Sequence, residues 1–331
     1  MKKGFFSASV LVLVMILALA GCGKSGGESG GKKVSYPTKP INLVVGYAAG
    51  GSGDMSARAI AEPMQKLLGQ PVAVINKAGG GGGVAAAEFA RAKADGYTLM
   101  NGAYGTITLV PYQSNVGYTY KDFKAIARTV DVPLALAVKK DSPINSLKDF
   151  IEYAKKNPKK VRVGTPGAGT IQHVTLHRMN KEFGIDLQHM PYEGANPAVA
   201  ALLGGHIEAT LTGFTEVTGQ YKSGQVKILG VTTDKRIQEF MPDVPTFKEL
   251  GHDFVAGFWM GVFAPKDTPQ EIVGILSDAV KKASESEEFK NACKKLYLLN
   301  AYLGPDEFSA SIARDSESNQ KMLQEMGIAK N

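Results

Sequence analysis

The sequence predicts an α/β protein of two similar domains, each a mostly parallel sheet flanked by helices. Apolar, strand-like runs alternate with amphipathic segments along the chain, a pattern typical of such sheets. Two strands, 41–45 and 161–164, each enter a glycine-rich loop that opens a helix. Two further apolar segments, 133–143 and 258–269, end in similar residues before a helix. Such a pair is what a chain crossing twice between twin domains requires.

The composition is that of an ordinary globular protein. The chain has 331 residues, of which 44% are hydrophobic and 21% charged, and this is enough for two modest domains. Its formal net charge is +7. However, the basic residues form no cluster interleaved with aromatic side chains, so nucleic acid is not an expected partner.

The N-terminus predicts export. Lys2 and Lys3 precede an apolar run, 5–20, which is shorter than the roughly 20 residues of a membrane-spanning helix. We therefore expect a signal peptide over 1–21. The Leu-Ala-Gly-Cys ending resembles a bacterial lipoprotein cleavage box, in which Cys22 becomes the lipidated first residue. Ordinary cleavage beside an incidental cysteine is the alternative.

A flexible linker is expected over 22–35, because this stretch consists mainly of Gly, Ser, Lys and Glu. If Cys22 is acylated, only Cys293 remains, so no intrachain disulfide is expected. The predicted location is the outer face of the cytoplasmic membrane or the periplasm, with the protein held at the membrane by its lipid anchor.

The first half of the chain predicts successive β–α units. Strand 41–45 is followed by a helix, 55–68, whose apolar residues recur at core-facing spacing and which Pro63 should kink. The next predicted elements are strand 72–75, helix 84–93 and strand 97–100. The five glycines that precede the second helix fit either a flexible connector or the rim of a pocket.

The second half repeats this pattern after a predicted strand at 132–138. The predicted domain boundaries follow from the two crossings: 36–134 plus 256–331 form domain one, and 135–255 form domain two, with a ligand cleft between them. The remaining predicted elements are helix 146–155, strand 161–164, a helix from 170, strand 189–191, helix 197–203, strands 207–211 and 227–231, and helices 270–282 and 305–325.

Neither glycine loop fits a catalytic or nucleotide-binding motif. The first, 50–54, lacks the spacing of a dinucleotide fingerprint and has Asp54 where a nucleophile elbow needs glycine. The second has Gln172 where a dinucleotide motif needs glycine. Both loops instead present backbone N–H groups at a helix start, which attracts anions without any charged side chain. We therefore predict a small-anion site with no catalytic residue and no cofactor.

Several side chains near the loops are candidates for more than one role. Asp54 is expected to cap its helix and hold the first loop. The hydroxyls of Ser52, Thr165 and Thr170 fit either ligand contact or local turns. His173 is expected to face the cleft. Its spacing from His177 could suit zinc, but no third ligand is apparent, so no metal is predicted.

The order of the motifs resembles that of the solute receptors of tripartite tricarboxylate transporters, also known as Bug-type periplasmic binding proteins. The resemblance covers 36–331 and is carried by 40–54 with Arg58, 68–72, Asn76 and the glycines after it, 164–170 with His173, 191–195, 203–205, Arg236 and 243–246. It implies a two-domain, type II periplasmic-binding-protein fold that closes over a small carboxylate. Gly46, Ala78 and Pro63 depart from the family pattern, which bears only on loop and helix stiffness.

The resemblance also implies which residues bind the ligand. One carboxylate would be held by main-chain groups and ordered water between the two loops. Apart from the resemblance, the segments 104–106 and 214–216 follow later predicted strands, so we expect them to be loops that recognise the far end of the ligand. The predicted binding residues are Tyr47, Ala48, Ala49, Gly50, Gly51, Ser52 and Asp54 in the first loop, Thr165, Gly167, Ala168, Gly169, Thr170 and His173 in the second, and Tyr104, Thr106 and Tyr192 nearby.

We expect a monomeric receptor that delivers its ligand to a membrane permease made of a large and a small subunit. The first alternative is a receptor of similar fold for another uptake system or for sensing, with a different small organic anion. A hydrolase or transferase that uses Ser52 and His173 is the second alternative, although no acid accompanies them in a motif.

Overall fold

The computed structural model describes residues 35–330. The predicted signal peptide, Cys22 and nearly all of the predicted linker lie outside the described residues.

The first sheet begins with three parallel strands, β1 (Ile41–Val45), β2 (Val72–Asn76) and β3 (Thr98–Ala103), with β1 in the middle. Four of the five residues of β1 are buried, as expected for a strand covered on both faces. Four helices connect these strands or follow them: α1 (Ser52–Leu68), α2 (Gly83–Phe89), α3 (Tyr104–Thr108) and α4 (Val110–Gln113).

The long strand β4 (Phe123–Lys139) belongs to two sheets. Its first part, as far as Pro133, pairs antiparallel with β9 (Gly257–Pro265) and so joins the first sheet. From Leu134 onward it pairs antiparallel with β7 (Ala209–Gly213) and β8 (Val226–Val231). The chain therefore passes between the two sheets through β4 and returns into the first sheet at β9.

The second sheet repeats the parallel arrangement of the first. Its strands β5 (Arg162–Thr165) and β6 (Gln188–Pro191) are parallel, and β5 also pairs parallel with β7. The helices in this part of the chain are α5 (Leu147–Lys156), α6 (Ile171–Phe183), α7 (Ala195–Leu203) and α8 (Phe214–Lys222). The chain ends with α9 (Gln270–Glu285), α10 (Glu287–Leu296), β10 (Leu299–Leu303), which pairs antiparallel with β4, and α11 (Pro305–Glu325).

The α/β class is confirmed, but the sheets are mixed, not mostly parallel. Strands β1–β3 and β5–β7 supply the parallel pairs, whereas the crossing strands and β10 pair antiparallel. The first half of β4 was not predicted, because register shifts at Ala125/Ala127 and Arg128/Val130 break the alternation that marks a strand. The edge strand β10 was also missed, and α1 runs through Pro63 without interruption.

Helix α11 packs on the crossing strands through aromatic side chains. The Phe308 ring lies 4.8 Å from that of Trp259 and 5.3 Å from that of Phe263, measured between ring centroids. Trp259 also donates a 2.8 Å hydrogen bond from Nε1 to Asp315 on the same helix. Gly261 makes room for this contact, because a Cβ atom there would overlap the Phe308 ring and lie 2.7 Å from the Ala127 carbonyl oxygen.

Gly261→Ala should therefore lower the free energy of unfolding by about 1–3 kcal/mol, since the added methyl group has no space. Gly274→Ala is the matched control. Gly274 lies on an exposed face of α9 with nothing within 4 Å of the added atom, so alanine should stabilise by about 0.5–1 kcal/mol. Chemical denaturation of both variants tests this, and equal effects would contradict the packing described.

Candidate ligand-binding site

A cavity of about 900 Å³ opens where the carboxyl ends of strands from both sheets meet. Such strand ends are where open α/β sheets bind ligands. Residues 50–53 follow β1 and line it, as do Ala103 and Gly105 at the end of β3. From the second sheet, 168–170 follow β5, and Thr215 and Glu216 follow β7. The cavity wall thus draws on both sheets, with one glycine loop from each.

The first glycine loop leads into α1 without a side-chain cap among the described residues. Gly51 is the N-cap residue, and Gly50 has a φ of +87°, which favours glycine. The first N–H groups of an α-helix have no partner within the helix. Because no described side chain accepts hydrogen bonds from these N–H groups, this helix start can donate hydrogen bonds into the cavity.

Asp54 holds the first loop in place from behind. Its Oδ2 accepts hydrogen bonds from the Gly50 N–H at 2.9 Å and from Arg58 Nε at 3.1 Å, and its Oδ1 accepts one from Asn76 Nδ2 at 3.0 Å. Asn76 Nδ2 also donates to the Tyr47 carbonyl oxygen at 3.0 Å. The expectation that Asp54 caps the helix was wrong in position: Gly51 is the cap, and Asp54 acts from the first turn by binding the loop.

The carboxyl of Asp54 is buried but charged. Burial acts to raise its pKa, but the hydrogen bonds from Arg58, Gly50 and Asn76 outweigh burial and hold the pKa below its usual value. The loop thus depends on a buried anion that is already paired. Asp54 binds the Gly50 N–H, and the remaining N–H groups of the loop are left for a ligand.

The glycine run forms a packed rim and not a loose connector. The Tyr47 hydroxyl lies 3.0 Å from the Gly81 carbonyl oxygen and 2.9 Å from Thr106 Oγ1, and Thr106 donates to the same carbonyl at 2.8 Å. A Cβ atom on Gly46 would come within 2.7 Å of Gly82 Cα. Because the backbones approach this closely, glycine is required there.

The second loop is held by its own helix cap and by the first-sheet side of the molecule. Thr170 caps α6, accepting from the His173 N–H at 3.4 Å and donating to the Gly167 carbonyl oxygen at 2.8 Å. Gln113, at the end of α4, donates from Nε2 to the Gly169 carbonyl oxygen at 2.6 Å. This last hydrogen bond joins the two walls of the cavity directly.

His173 supports the second loop and does not line the cavity. Its Nδ1 accepts a 3.1 Å hydrogen bond from the Gly169 N–H, and its ring stacks on His189 at 3.8 Å between centroids. His189 Nε2 in turn lies 2.7 Å from Thr165 Oγ1. Burial, followed by the neighbouring His189 and His177, lowers the pKa of His173 to about 4. The ring is therefore neutral at pH 7, as an accepting Nδ1 requires.

Seven of the sixteen predicted binding residues line the cavity: Tyr47, Gly50, Gly51, Ser52, Ala168, Gly169 and Thr170. The other nine do not, and they are Ala48, Ala49, Asp54, Thr165, Gly167, His173, Tyr104, Thr106 and Tyr192. Tyr104, for example, is buried, with its hydroxyl 2.9 Å from Asn319 Nδ2. The segments 104–106 and 214–216, expected as loops, are the starts of α3 and α8.

Several cavity residues carry no sequence motif and were not predicted. Gln113 lies in a segment without clear periodicity, and Phe258 and Met260 belong to a crossing strand. Gln220 on α8 and the segment 295–297 complete this part of the wall. Only the position of Thr215 and Glu216 after a strand was visible in the sequence, through the rule that strand ends gather ligands.

A family model described as "Tripartite tricarboxylate transporter family receptor" matches residues 56–328. The chain belongs to this family. It is 35% identical to a UPF0065 protein of Cupriavidus necator over 297 residues, which cover 89% of this chain and 90% of that protein. It is also 34% identical to a TctC solute-binding protein from Polaromonas, with a TM-score of 0.77 over 88% of this chain and all of that structure.

Two further solved structures to which this chain is similar were determined with ligands. MatC from Rhodopseudomonas palustris, determined with bound malate, is 28% identical, with a TM-score of 0.74 over 87% of this chain and 100% of that one. A second R. palustris protein, determined with adipate, is 28% identical, with a TM-score of 0.79 over 89% and 99%. The resemblance read from the motifs is thus confirmed. The protein is a solute-binding receptor of this periplasmic family and not an enzyme.

Within residues 35–330, none of the helices is both long enough and apolar enough to cross a membrane. The same part of the chain has no group of three or more His, Cys, Asp or Glu side chains arranged to hold a metal ion.

Asp54→Ala should lower the free energy of unfolding at pH 7 by about 1–3 kcal/mol, because it leaves the Gly50 N–H and Arg58 without their partner. Glu62→Ala on the same helix is the control, since its 3.6 Å ion pair with Lys66 is exposed and should contribute under about 0.5 kcal/mol.

The loss of stability caused by Asp54→Ala should become smaller as the pH falls. The folded pKa of Asp54 lies below its usual value of about 3.9, so its contribution is complete above that pH and is lost as the pH falls through the folded pKa. The difference between wild type and variant should therefore narrow below about pH 4. A constant difference from pH 7 to pH 3, measured by urea denaturation, would contradict the role assigned to this carboxylate.

Proposed function

We propose that this receptor captures a small carboxylate between the two glycine loops and delivers it to a tripartite tricarboxylate-type permease. The observation that carries the proposal is that two glycine loops line one cavity, one loop from each sheet, and that each leads into a helix start, that of α1 or α6. Backbone N–H groups at such helix starts favour an anion without demanding a particular side chain. Malate and adipate in the two related structures are consistent with this chemistry.

The proposed carboxylate contacts are the cavity-lining part of the two loops, with Ser52 able to add a hydroxyl donor. The hydroxyl hydrogen of Thr170 is already donated to the Gly167 carbonyl oxygen. Asp54 and His173 do not line the cavity and act by holding the two loops in place. Because these contacts read only a carboxylate, they leave the rest of the ligand to be selected elsewhere in the cavity.

We propose that 36–134 plus 256–331 form one domain and 135–255 the other, with the ligand binding as they close. The change of partners along β4 at Leu134 supports this division. Contacts between the two parts include the Gln113–Gly169 hydrogen bond, a 2.7 Å ion pair between Lys181 on α6 and Glu325 on α11, and a 3.0 Å ion pair between Glu239 and Lys294 on α10. Opening would break the Gln113–Gly169 hydrogen bond, which joins the two cavity walls, and expose the loops.

A carboxylate ligand should raise the melting temperature and reduce the radius of gyration measured by small-angle scattering. At a hundredfold excess over Kd the expected stabilisation is about 2.7 kcal/mol. If mono-, di- and tricarboxylates and aromatic acids all fail to shift the melting temperature, the carboxylate assignment is wrong.

Gly169→Val should weaken binding by at least about a hundredfold, because a side chain there enters the cavity and overlaps Gln113. Gly184→Val is a close control at the other end of α6. Both glycines have positive φ, +74° and +61°, so both variants lose stability, but Gly184 has only open space around it. Calorimetric titration should show lost affinity in the first variant alone.

We also propose that Cys22 is lipidated and that the receptor acts as a monomer at the outer face of the cytoplasmic membrane or in the periplasm. A labelled fatty acid should be incorporated by the wild type and not by Cys22→Ser, and equal labelling would refute the anchor. Ligand uptake that persists in cells lacking the two permease subunits would favour the alternative, a receptor for another uptake system or for sensing.

A further inference from the structure

Helix α8 lines the cavity with three half-buried polar side chains, each of which has one buried oxygen atom without a hydrogen-bond partner. They are Thr215, Glu216 and Gln220, and we call them the acceptor cluster. Six buried side-chain N or O atoms in residues 35–330 have no hydrogen-bond partner, and three of these are Thr215 Oγ1, Glu216 Oε2 and Gln220 Oε1. Buried polar atoms in proteins nearly always have a partner. Their concentration on a single helix beside a ligand cavity therefore requires an explanation.

The position of the Glu216 carboxyl is fixed by the fold. It packs over Gly213, the last residue of β7, where any Cβ atom would overlap the carboxyl. The same Cβ would lie 2.9 Å from Val132 Cγ1 on the crossing strand β4. Glycine at this position thus makes room for an acidic group that neither the core nor the two glycine loops use.

Glu216 also lacks a positive partner. Burial raises the pKa of its carboxyl, and the neighbouring Thr215 hydroxyl and the backbone lower it by less. No ion pair to Glu216 forms among the described side chains. The cationic side chain that does line the cavity, Lys295, is exposed. Burying a carboxylate without a partner costs free energy. A ligand group that donates hydrogen bonds, and above all one with a positive charge, would remove this cost.

We propose that the acceptor cluster binds a hydrogen-bond-donating group, with ammonium preferred, on the same molecule whose carboxylate the two glycine loops bind. This inference rests on the proposed function and narrows its substrate class. A carboxylate oxygen and an amide oxygen both accept, so an amino acid fits the cluster best and a hydroxy acid fits it less well. A second ionised carboxylate at this point would face Glu216 and be repelled.

A ligand series of matched chain length tests the proposal by calorimetric titration at pH 7. Straight-chain monocarboxylates, ω-hydroxy acids, ω-amino acids and dicarboxylates of two to six carbons are the probes. We expect the best ω-amino acid to bind at least about tenfold tighter than the monocarboxylate and the dicarboxylate of equal length, since a buried acceptor discriminates against a group that cannot donate to it.

Variants of the cluster identify the side chain responsible. Glu216→Gln keeps the shape and removes the charge, so the preference for the ω-amino acid over the monocarboxylate should fall at least about tenfold while monocarboxylate affinity stays within about twofold. Gln220→Met should reduce the same preference by a smaller factor. Glu182→Gln, on the exposed surface of α6, removes the same charge outside the cavity and should change neither value.

Three results would overturn the inference: tighter binding of the dicarboxylate than of the ω-amino acid by the wild type, equal binding of all the probes, or an unchanged preference in Glu216→Gln. The first result would mean that Glu216 is protonated and donates to an acceptor on the ligand. If the probes bind weakly but equally, the carboxylate site is supported and the binding role proposed for the acceptor cluster is wrong. If no carboxylate of any class binds, the proposed function itself fails.

Discussion

The buried carboxylate of Asp54 is the interaction on which the first wall of the cavity depends. It ties the Gly50 N–H, Asn76 and Arg58 to one point, and Asn76 extends this hold to the Tyr47 carbonyl oxygen. An exposed glycine loop would otherwise sample many conformations, and ordering it costs about 1–2 kcal/mol per residue. By fixing the loop before a ligand arrives, Asp54 lets ligand binding proceed without that loss.

The second glycine loop is also held in place before a ligand binds, but by neutral groups. Thr170 and the unprotonated His173 hold the backbone of that loop, and the neutral imidazole is needed because its Nδ1 must accept from Gly169. The two loops therefore add little net charge of their own to the cavity. A cavity that binds anions through backbone dipoles can accept many carboxylates, and the surrounding side chains must then provide the selection.

The sequence was most informative where backbone geometry is dictated by residue type. The glycine-rich loops and the amphipathic period of α1 predicted the strand–loop–helix units, and the family resemblance that these motifs carry implied the seven lining residues. The first half of β4 was not predicted because bulges disrupt its alternation, and His173 was expected to face the cleft because its stacking on His189, a tertiary contact, is not visible in the sequence. Gln113 and Gln220 could not be predicted, since their place in the wall comes from packing and follows no spacing rule.

Strand β4 is internal to both sheets. It lies between β9 and β10 in the first sheet and between β7 and β8 in the second. Because β4 is a central strand of both sheets, neither sheet can unfold without disrupting the other. Heat should therefore unfold the molecule as one cooperative unit. The halves are also not separable by genetic truncation, because a cut near Leu134 would leave each fragment with an open seam of unpaired backbone groups. The indivisibility of the fold thus follows from one strand that both sheets share.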